Sequence, residues 1–549
     1  MDLKRVSRGL KATFGARLLH MVASGLLMVV LVRYLLSSKQ YGLLGSALAV
    51  LGVAQLLGDL GIGKAAARYV TEYRETQPDQ VPHVLRAAFA YRIAAVAVVA
   101  GGFLLFGGLV ADLIGQPEIG PLLVLGAGYV AVHSLFTFSQ VLFQGFNRVT
   151  YSSAIRAVGT VSRLGLAVLF VAVFGGAMGA LTGYIVGYGV GAVLGLSLLY
   201  VVGYRDAERA ETPEDGLARK VLRYSVPLTV TRGANVIDKR VDTILVGYFI
   251  GPVAVGYYYL AKQIVGFVQT PAASLGFTLS PTYGEHKADG DSERAARIYE
   301  TTLKYTLLLY VPAAAGIVLV AEPTITLIFG SDMGPAAPVL QVFSGYVVLQ
   351  AVAFVTSDAL DYLGRARSRA YAKGATSIGN FLLNLVMIPQ FGVVGAAAAT
   401  VVTFGGYTAV NVAVIHSELS LSVRRLARHL AAVAGVTVAM SVAVYFVMTA
   451  TSGALAVAAA IPLGIAVWAG LSVAGVCSTP TGSSRFSPDG ARSPGGRTPT
   501  ARQQVSRPNE PPTRAQTTRN LRQTGYNKGR WRPANVQAAG NLPPDKLCR

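Results

Sequence analysis

Apolar residues fall into long blocks between residues 12 and 475, separated by short polar or charged connections. A membrane-spanning helix needs roughly 20 such residues, and blocks of that length recur fourteen times. Six lie near 12–36, 42–62, 84–113, 119–143, 151–173 and 176–202. Eight more follow the charged stretch RDAERAETPEDGLARK, near 221–249, 253–282, 297–321, 336–357, 368–388, 391–415, 426–449 and 453–475. The pattern predicts an all-α polytopic membrane protein. Its parts are an N-terminus at 1–11, an N-lobe at 12–202, a linker at 203–220, a C-lobe at 221–415, two further helices at 416–475 and a tail at 477–549.

The two lobes repeat one another. Leu31, Val32, Tyr34 and Gly42 match Leu245, Val246, Tyr248 and Gly256 without a gap. Phe174-Gly175 with Gly179-Ala180 resembles Phe391-Gly392 with Gly395-Ala396, and Gly145 with Arg148 resembles Gly364 with Arg367. Two six-helix repeats in parallel orientation imply a pseudo-two-fold along the membrane normal and a cleft with a site at its middle. The last two helices stand outside the repeat.

One stretch carries charge where the pattern demands a helix, TVTRGANVIDKRVDTILVGYFIGPVAVG from Thr229. Charged side chains in a span face protein or a water-filled cavity. On a helical projection Arg232, Asn235, Asp238, Lys239 and Asp242 gather into a stripe about 120° wide, with Arg240 outside it. The stripe is read as the lining of a transporter's central cavity; pairing within the helix at i,i+3 and i,i+4 is the alternative. Asp59, in QLLGDLGIGKAAARYV, is either a cation or proton site, a partner for a cavity arginine, or a helix-end carboxylate at the surface. Arg17, Arg92, Lys262 and Lys304 are the further candidates, with Arg17, His20 and Ser24 on one face of the first helix. Arg156 belongs to the same group of intramembrane cations; Arg33 and Arg163 are set aside as weak. A cavity rich in arginine and lysine suits an anionic head group, because the guanidinium fork matches phosphate.

Composition supports the membrane assignment: 52% of residues are hydrophobic and 14% charged, against about 25% charged in soluble domains. The net charge of +21 is no sign of nucleic acid, because 13 of the 48 basic residues but only three of the 27 acidic ones lie beyond residue 476. The remaining excess sits on alternate connections, so both termini are expected on the cytoplasmic side of the cell membrane. The opposite loops are short, which disfavours an external catalytic domain. Cys477 and Cys548 are the two cysteines, so a disulfide framework or cysteine metal site is not expected. No GxxxxGK[ST], HExxH or GxSxG occurs, and the chain is expected to be neither an enzyme nor dependent on a cofactor. The Ser/Pro/Gly/Arg-rich tail cannot bury enough to order itself. It reads either as a segment that touches anionic lipid or a glycosyltransferase, or as out-of-frame translation of a G/C-rich gene.

Three stretches, KQYGLLGSALAVLGVAQLLGDLGIGKAAARYV, VDTILVGYFIGPVAVGYYYLAKQIV and FGVVGAAAATVV, resemble the polysaccharide-biosynthesis flippases of the multidrug/oligosaccharidyl-lipid/polysaccharide superfamily. The resemblance spans about residues 8–475. It implies alternating-access movement of a polyprenyl- or dolichyl-linked oligosaccharide to the outer leaflet, driven by an ion gradient (Na+ or H+) or membrane potential. Membrane lipids and a polysaccharide polymerase or glycosyltransferases are the implied partners. Within the resemblance Asp242 takes the acidic position of the seventh helix and Asp59 the polar position of GDLGIG. A drug/cation antiporter or a membrane-integral enzyme of polysaccharide assembly are the alternatives.

Overall fold

The computed structural model describes residues 3–205, 207–269 and 292–478, with side chains described over 13–474 of these except 230–232, 234, 235 and 292. The tail, Pro271 and Pro281 lie outside the described residues. The elements are α1 Leu3–Val30, α2 Ser38–Asp59, α3 Ile62–Thr76, α4 Val81–Leu113, α5 Gly120–Gly145, α6 Val149–Phe174 and α7 Gly176–Tyr200, followed by α8 Leu217–Phe249, α9 Pro252–Val268, α10 Ser292–Phe329, α11 Ala336–Tyr362, α12 Ala366–Leu419, α13 Val423–Ala450 and α14 Gly453–Ser478.

Among the described residues, eleven helical segments are long and apolar enough to cross a membrane. The 54 residues of α12 would reach about 80 Å if straight, far beyond a bilayer's apolar thickness of about 30 Å. They make two spans, because Gly392 breaks the helix at φ 62, ψ −144. Adding α8, whose charges exclude it from the apolar class, and α9 gives the fourteen spans of the sequence pattern. One span is itself divided: α2 ends and α3 begins across Leu60 and Gly61, both left-handed.

The repeat is visible in the backbone. Asn147 and Gly364 both take positive φ before the next helix, Gly115 and Gly330 do so at another junction, and Gly175 and Gly392 at a third. After the last of these, a Cβ on Gly179 would lie 2.4 Å from the Phe170 carbonyl, and one on Gly395 2.2 Å from that of Met387. Only glycine permits such closeness, so both lobes fix the same hairpin of adjacent helices. The turn also corrects one pairing. Arg148 N–H donates to Phe143 O at 2.8 Å and Arg365 N–H to Leu360 O at 2.9 Å, so Arg148 corresponds to Arg365 rather than Arg367.

Three apolar cores explain how the lobes meet. The largest joins α1, α2, α4 and α5 of the N-lobe to α9, α10 and α11 of the C-lobe, always through their halves remote from the basic connections. On the basic side the cores are separate: one unites α3, α4, α5 and α7, the other α10, α11 and the end of α12. The joint rests on repeat-equivalent glycines. A Cβ on Gly42 would sit 1.7 Å from Pro252 O, and one on Gly256 2.5 Å from Ser38 O, so α2 and α9 touch backbone to backbone. Lobes fused on one side and separate on the other enclose a central cavity.

The linker ends earlier than expected, with α8 already helical at Leu217. Leu217 and Val221 belong to the N-lobe's basic-side core, and Arg68 lies 4.2 Å over the Tyr224 ring. Further along, Val246 packs in the shared core. Thus α8 passes from one lobe to the other, and its charged middle falls where the packing partners change.

Candidate functional site

The central cavity encloses about 870 Å³ and is lined from both lobes. Its cations are Arg17 of α1, Arg156 and Arg163 of α6, and Lys239 and Arg240 of α8; Asp59 is its one acid. Among the described residues none of the five cations has a carboxylate partner. Asp59 does not offset them, because it is committed to Arg92 at 2.8 Å. Arg92 is buried behind the wall, where it also donates to Asp59 O (2.8 Å) and Ser134 O (2.9 Å), while Ser134 Oγ donates to the Asp59 carboxylate at 3.1 Å. The charge on Arg92 thus pins the end of α2 to α4 and α5, and what remains facing the cavity is cationic.

Aromatic and hydroxyl groups complete the walls. Arg163 donates to Tyr188 Oη and Ser24 Oγ, both at 2.7 Å, and its guanidinium lies 5.2 Å from the Tyr184 ring centre. His133 stacks on Tyr129 at 5.3 Å and is hydrogen-bonded to Gln55. His20 bonds Thr160 at 3.0 Å. Arg17, His20 and Ser24, placed on one face of α1 by their spacing, all line the cavity.

A second cavity of about 320 Å³ lies in the C-lobe beside α8 and shares Lys239, Arg240 and Tyr259 with the first. Here the carboxylates are paired. Asp242, 2% exposed, receives Lys262 Nζ on both oxygens at 2.7 Å, Tyr258 Oη at 2.5 Å and Thr243 N–H at 2.9 Å. Asp238 receives Lys373 Nζ at 2.5 Å and Ser377 Oγ at 2.8 Å. The Lys262 ammonium also donates to Lys239 O at 2.8 Å. Both carboxylates therefore reach across to α9 or α12, not along α8, which sets aside the intrahelical pairing.

Of the sequence candidates, Arg17, Asp59 and Lys239 line the central cavity, and Asp238, Lys239, Asp242 and Lys262 the second. The side chains of Arg232 and Asn235 lie outside the described residues. Two candidates are corrected: Arg92 is buried structure, and Lys304, with its ammonium 5.6 Å over the Tyr305 ring, lines neither cavity. Two residues set aside are cavity residues. Arg240 falls outside the stripe yet faces both cavities, because they flank α8 on two sides; Gly52 makes room for it, its Cβ position being 3.2 Å from Arg240 Nε. Arg163, weak on sequence alone, has a seven-residue spacing from Arg156 that repeats that of Arg17 and Ser24 and could have revealed it. Lys373 and Ser377 were missed because they lie in a loose glycine-containing stretch with no pattern of its own.

Comparison with known proteins gives the family context. The family described as "Polysaccharide biosynthesis protein" matches residues 7–286, and MatE matches residues 227–389. The probable low-salt glycan biosynthesis flippase Agl15 of Haloferax volcanii is 24% identical over 204 residues, 37% of this chain and 43% of that protein. The probable flippase AglR of the same organism is 32% identical over 177 residues, 31% of this chain and 37% of the other. The chain thus spans less than half the length of these two relatives. The inward closed conformation of the lipid II flippase MurJ superposes with a TM-score of 0.70 at 14% identity, over 85% of this chain and 98% of that one, a likeness of fold.

Proposed function

This chain belongs to the polysaccharide biosynthesis protein family, and from that premise we propose that it flips a polyprenyl- or dolichyl-linked oligosaccharide from the cytoplasmic to the outer leaflet by alternating access. The observation that carries the reading is the set of five cations without carboxylate partners around one cavity between two lobes. Unpaired charge at membrane depth is expensive and is offset when an anionic ligand arrives. The phosphate or pyrophosphate of a lipid-linked sugar is such a ligand, and arginine forks suit it. Named flippases among the relatives and the flippase fold support the same reading. The basic connections favour a cytoplasmic position for that side of the cell membrane, and on this reading the described state, joined on the far side, faces inward.

No covalent step and no cofactor enters this cycle. An ion gradient of Na+ or H+, or the membrane potential, supplies the free energy, and a polysaccharide polymerase or glycosyltransferases hand on the sugar. A drug/cation antiporter fits less well, since a cationic ligand would meet five like charges. The test is translocation of a lipid-linked oligosaccharide in proteoliposomes, with Arg17→Ala and Lys239→Ala compared with wild type at matched insertion. Each variant should lose at least tenfold in rate. Unchanged rates in both would overturn the reading of the cavity as the pathway.

A further inference from the structure

The four arginines of the central cavity are not scattered but stand in two rungs. Arg156 and Arg163 are separated by two turns of α6, Arg17 and Ser24 by two turns of α1, which is about 10 Å along each helix. Arg163 bonds Ser24 at 2.7 Å, which fixes the two helices in register. Arg17 and Arg156 therefore share the rung nearer the basic connections, and together line a side recess with Thr13, Ser152 and Ser153. Arg163 stands on the other rung, with Arg240 facing the same cavity from α8.

The two rungs differ in their surroundings. The first is bordered by small hydroxyl side chains. The second is walled by rings: Tyr184 and Tyr188 centre 5.2 and 5.5 Å from the Arg163 guanidinium. Its polar capacity is not used up either, for Arg163 Nε is buried without an acceptor among the described residues. Flat aromatic walls with a few converging donors suit a sugar ring, which offers an apolar face and a polar rim. Guanidinium groups among them suit a sugar that is itself an anion, above all a carboxylate.

Resting on the flippase reading, we propose that the second rung is a sugar subsite selective for a uronic acid, while the first rung holds the lipid-linked phosphate. The order along the cavity follows from the ligand. Its phosphate is bonded to the lipid tail and stays near the interface, so the sugars extend from it toward the next rung. A pyrophosphate diester has two ionised oxygens, matched by Arg17 and Arg156. Arg163 and Arg240 then remain for charge carried on the glycan.

Binding measured on the full chain in nanodiscs tests this, with three short-chain probes: polyprenyl pyrophosphate alone, linked to a neutral disaccharide, and linked to a disaccharide ending in a uronic acid. Wild type should bind the uronic acid probe at least tenfold more tightly than the neutral one. Arg163→Gln should abolish that ratio and leave the bare pyrophosphate unchanged, whereas Arg156→Gln should weaken all three. Tyr184→Leu, which leaves every charge in place, should weaken both glycan probes and spare the bare one. Equal binding of neutral and acidic probes by wild type would overturn the subsite, as would an Arg163→Gln loss as large on the bare pyrophosphate as on the glycan. Either result leaves the flippase reading intact. Failure of wild type to bind even the bare pyrophosphate would overturn both.

Discussion

The two lobes place the same pair of helices face to face and treat their charge differently. In the N-lobe these are α1 and α6, in the C-lobe α8 and the first half of α12. The repeat correspondence of Gly42 with Gly256, and of Asn147 and Gly175 with Gly364 and Gly392, sets Ser24 against Asp238 and Arg156 against Lys373. In the N-lobe a neutral hydroxyl meets Arg163 and leaves Arg156 without a carboxylate. In the C-lobe a carboxylate meets the lysine at 2.5 Å. On this pair of helices one repeat thus leaves its arginines open to the cavity and the other neutralises its lysine internally, while Lys239 and Arg240 of α8 still face the cavity. The geometry of a fold can therefore be kept while its use changes, through the charge of one side chain on one of the facing helices, a serine in α1 and an aspartate in α8.

The comparison breaks most visibly if the C-lobe pairs prove dispensable. Lys262→Met strands Asp242, a buried carboxylate with its counter-ion gone, and removing one partner of a buried pair costs about 3–5 kcal/mol. Thermal unfolding in detergent should show a loss of that order. Asp242→Asn added to it should recover a large part, since the amide is no longer an unpaired charge, its carbonyl can still accept from the Thr243 N–H, and its NH2 can donate to the Tyr258 hydroxyl. Arg156→Gln, at a cation whose hydrogen bond runs to the neutral Gln140 at 3.1 Å, should cost no more than about 1 kcal/mol. Similar losses for Lys262→Met and Arg156→Gln would mean that the lobes do not divide their charges between structure and ligand.

The joint between the lobes is the next test, smaller if the two helices shift apart as bodies, since the contact is backbone to backbone. Gly42→Ala would push a methyl into the Pro252 carbonyl, and overpacking of this kind costs about 1–3 kcal/mol. That cost falls on the described state alone, so the population should move toward the conformation open on that side. Labelling of a cysteine introduced at Tyr41, buried beside Tyr259 at a ring distance of 5.4 Å, should accelerate when Gly42 becomes alanine. No change in labelling would show that this contact is not what closes the far side.

Most of the fold was legible because membrane physics writes it in coarse letters. Apolar length gave fourteen spans, and Gly175 with Gly392 exposed the repeat because no other residue suits the hairpin they begin. The site was legible only in part. Periodicity places side chains on a face of their own helix, and it placed Arg17, His20 and Ser24 together correctly. It does not say what stands opposite: Arg92 looked like a cavity cation and is a buried tie to Asp59, while Arg240 looked misplaced and faces two cavities. Lys373 became readable only once α12 was seen beside α8. Each of these depends on which helices are neighbours, information held in no single stretch of sequence.

A small effect on stability should accompany the sharpest test of the comparison, Ser24→Asp, which gives α1 the carboxylate that α8 carries at Asp238. Ser24 Oγ already accepts from Arg163 at 2.7 Å, so a carboxylate there gains a charged partner at once. The Coulomb gain and the cost of desolvating a new charge oppose each other, and thermal unfolding should shift by no more than about 1 kcal/mol. Ligand binding should not be spared in the same way. The new negative charge occupies Arg163 and repels an anionic ligand passing through the cavity, so transport should fall at least tenfold. Because Arg17, Arg156, Lys239 and Arg240 are left as they are, the loss would isolate the sign of this one helix contact. A variant that transports normally would show that the open charge of the N-lobe, conspicuous as it is beside the neutralised C-lobe, is not what the ligand uses.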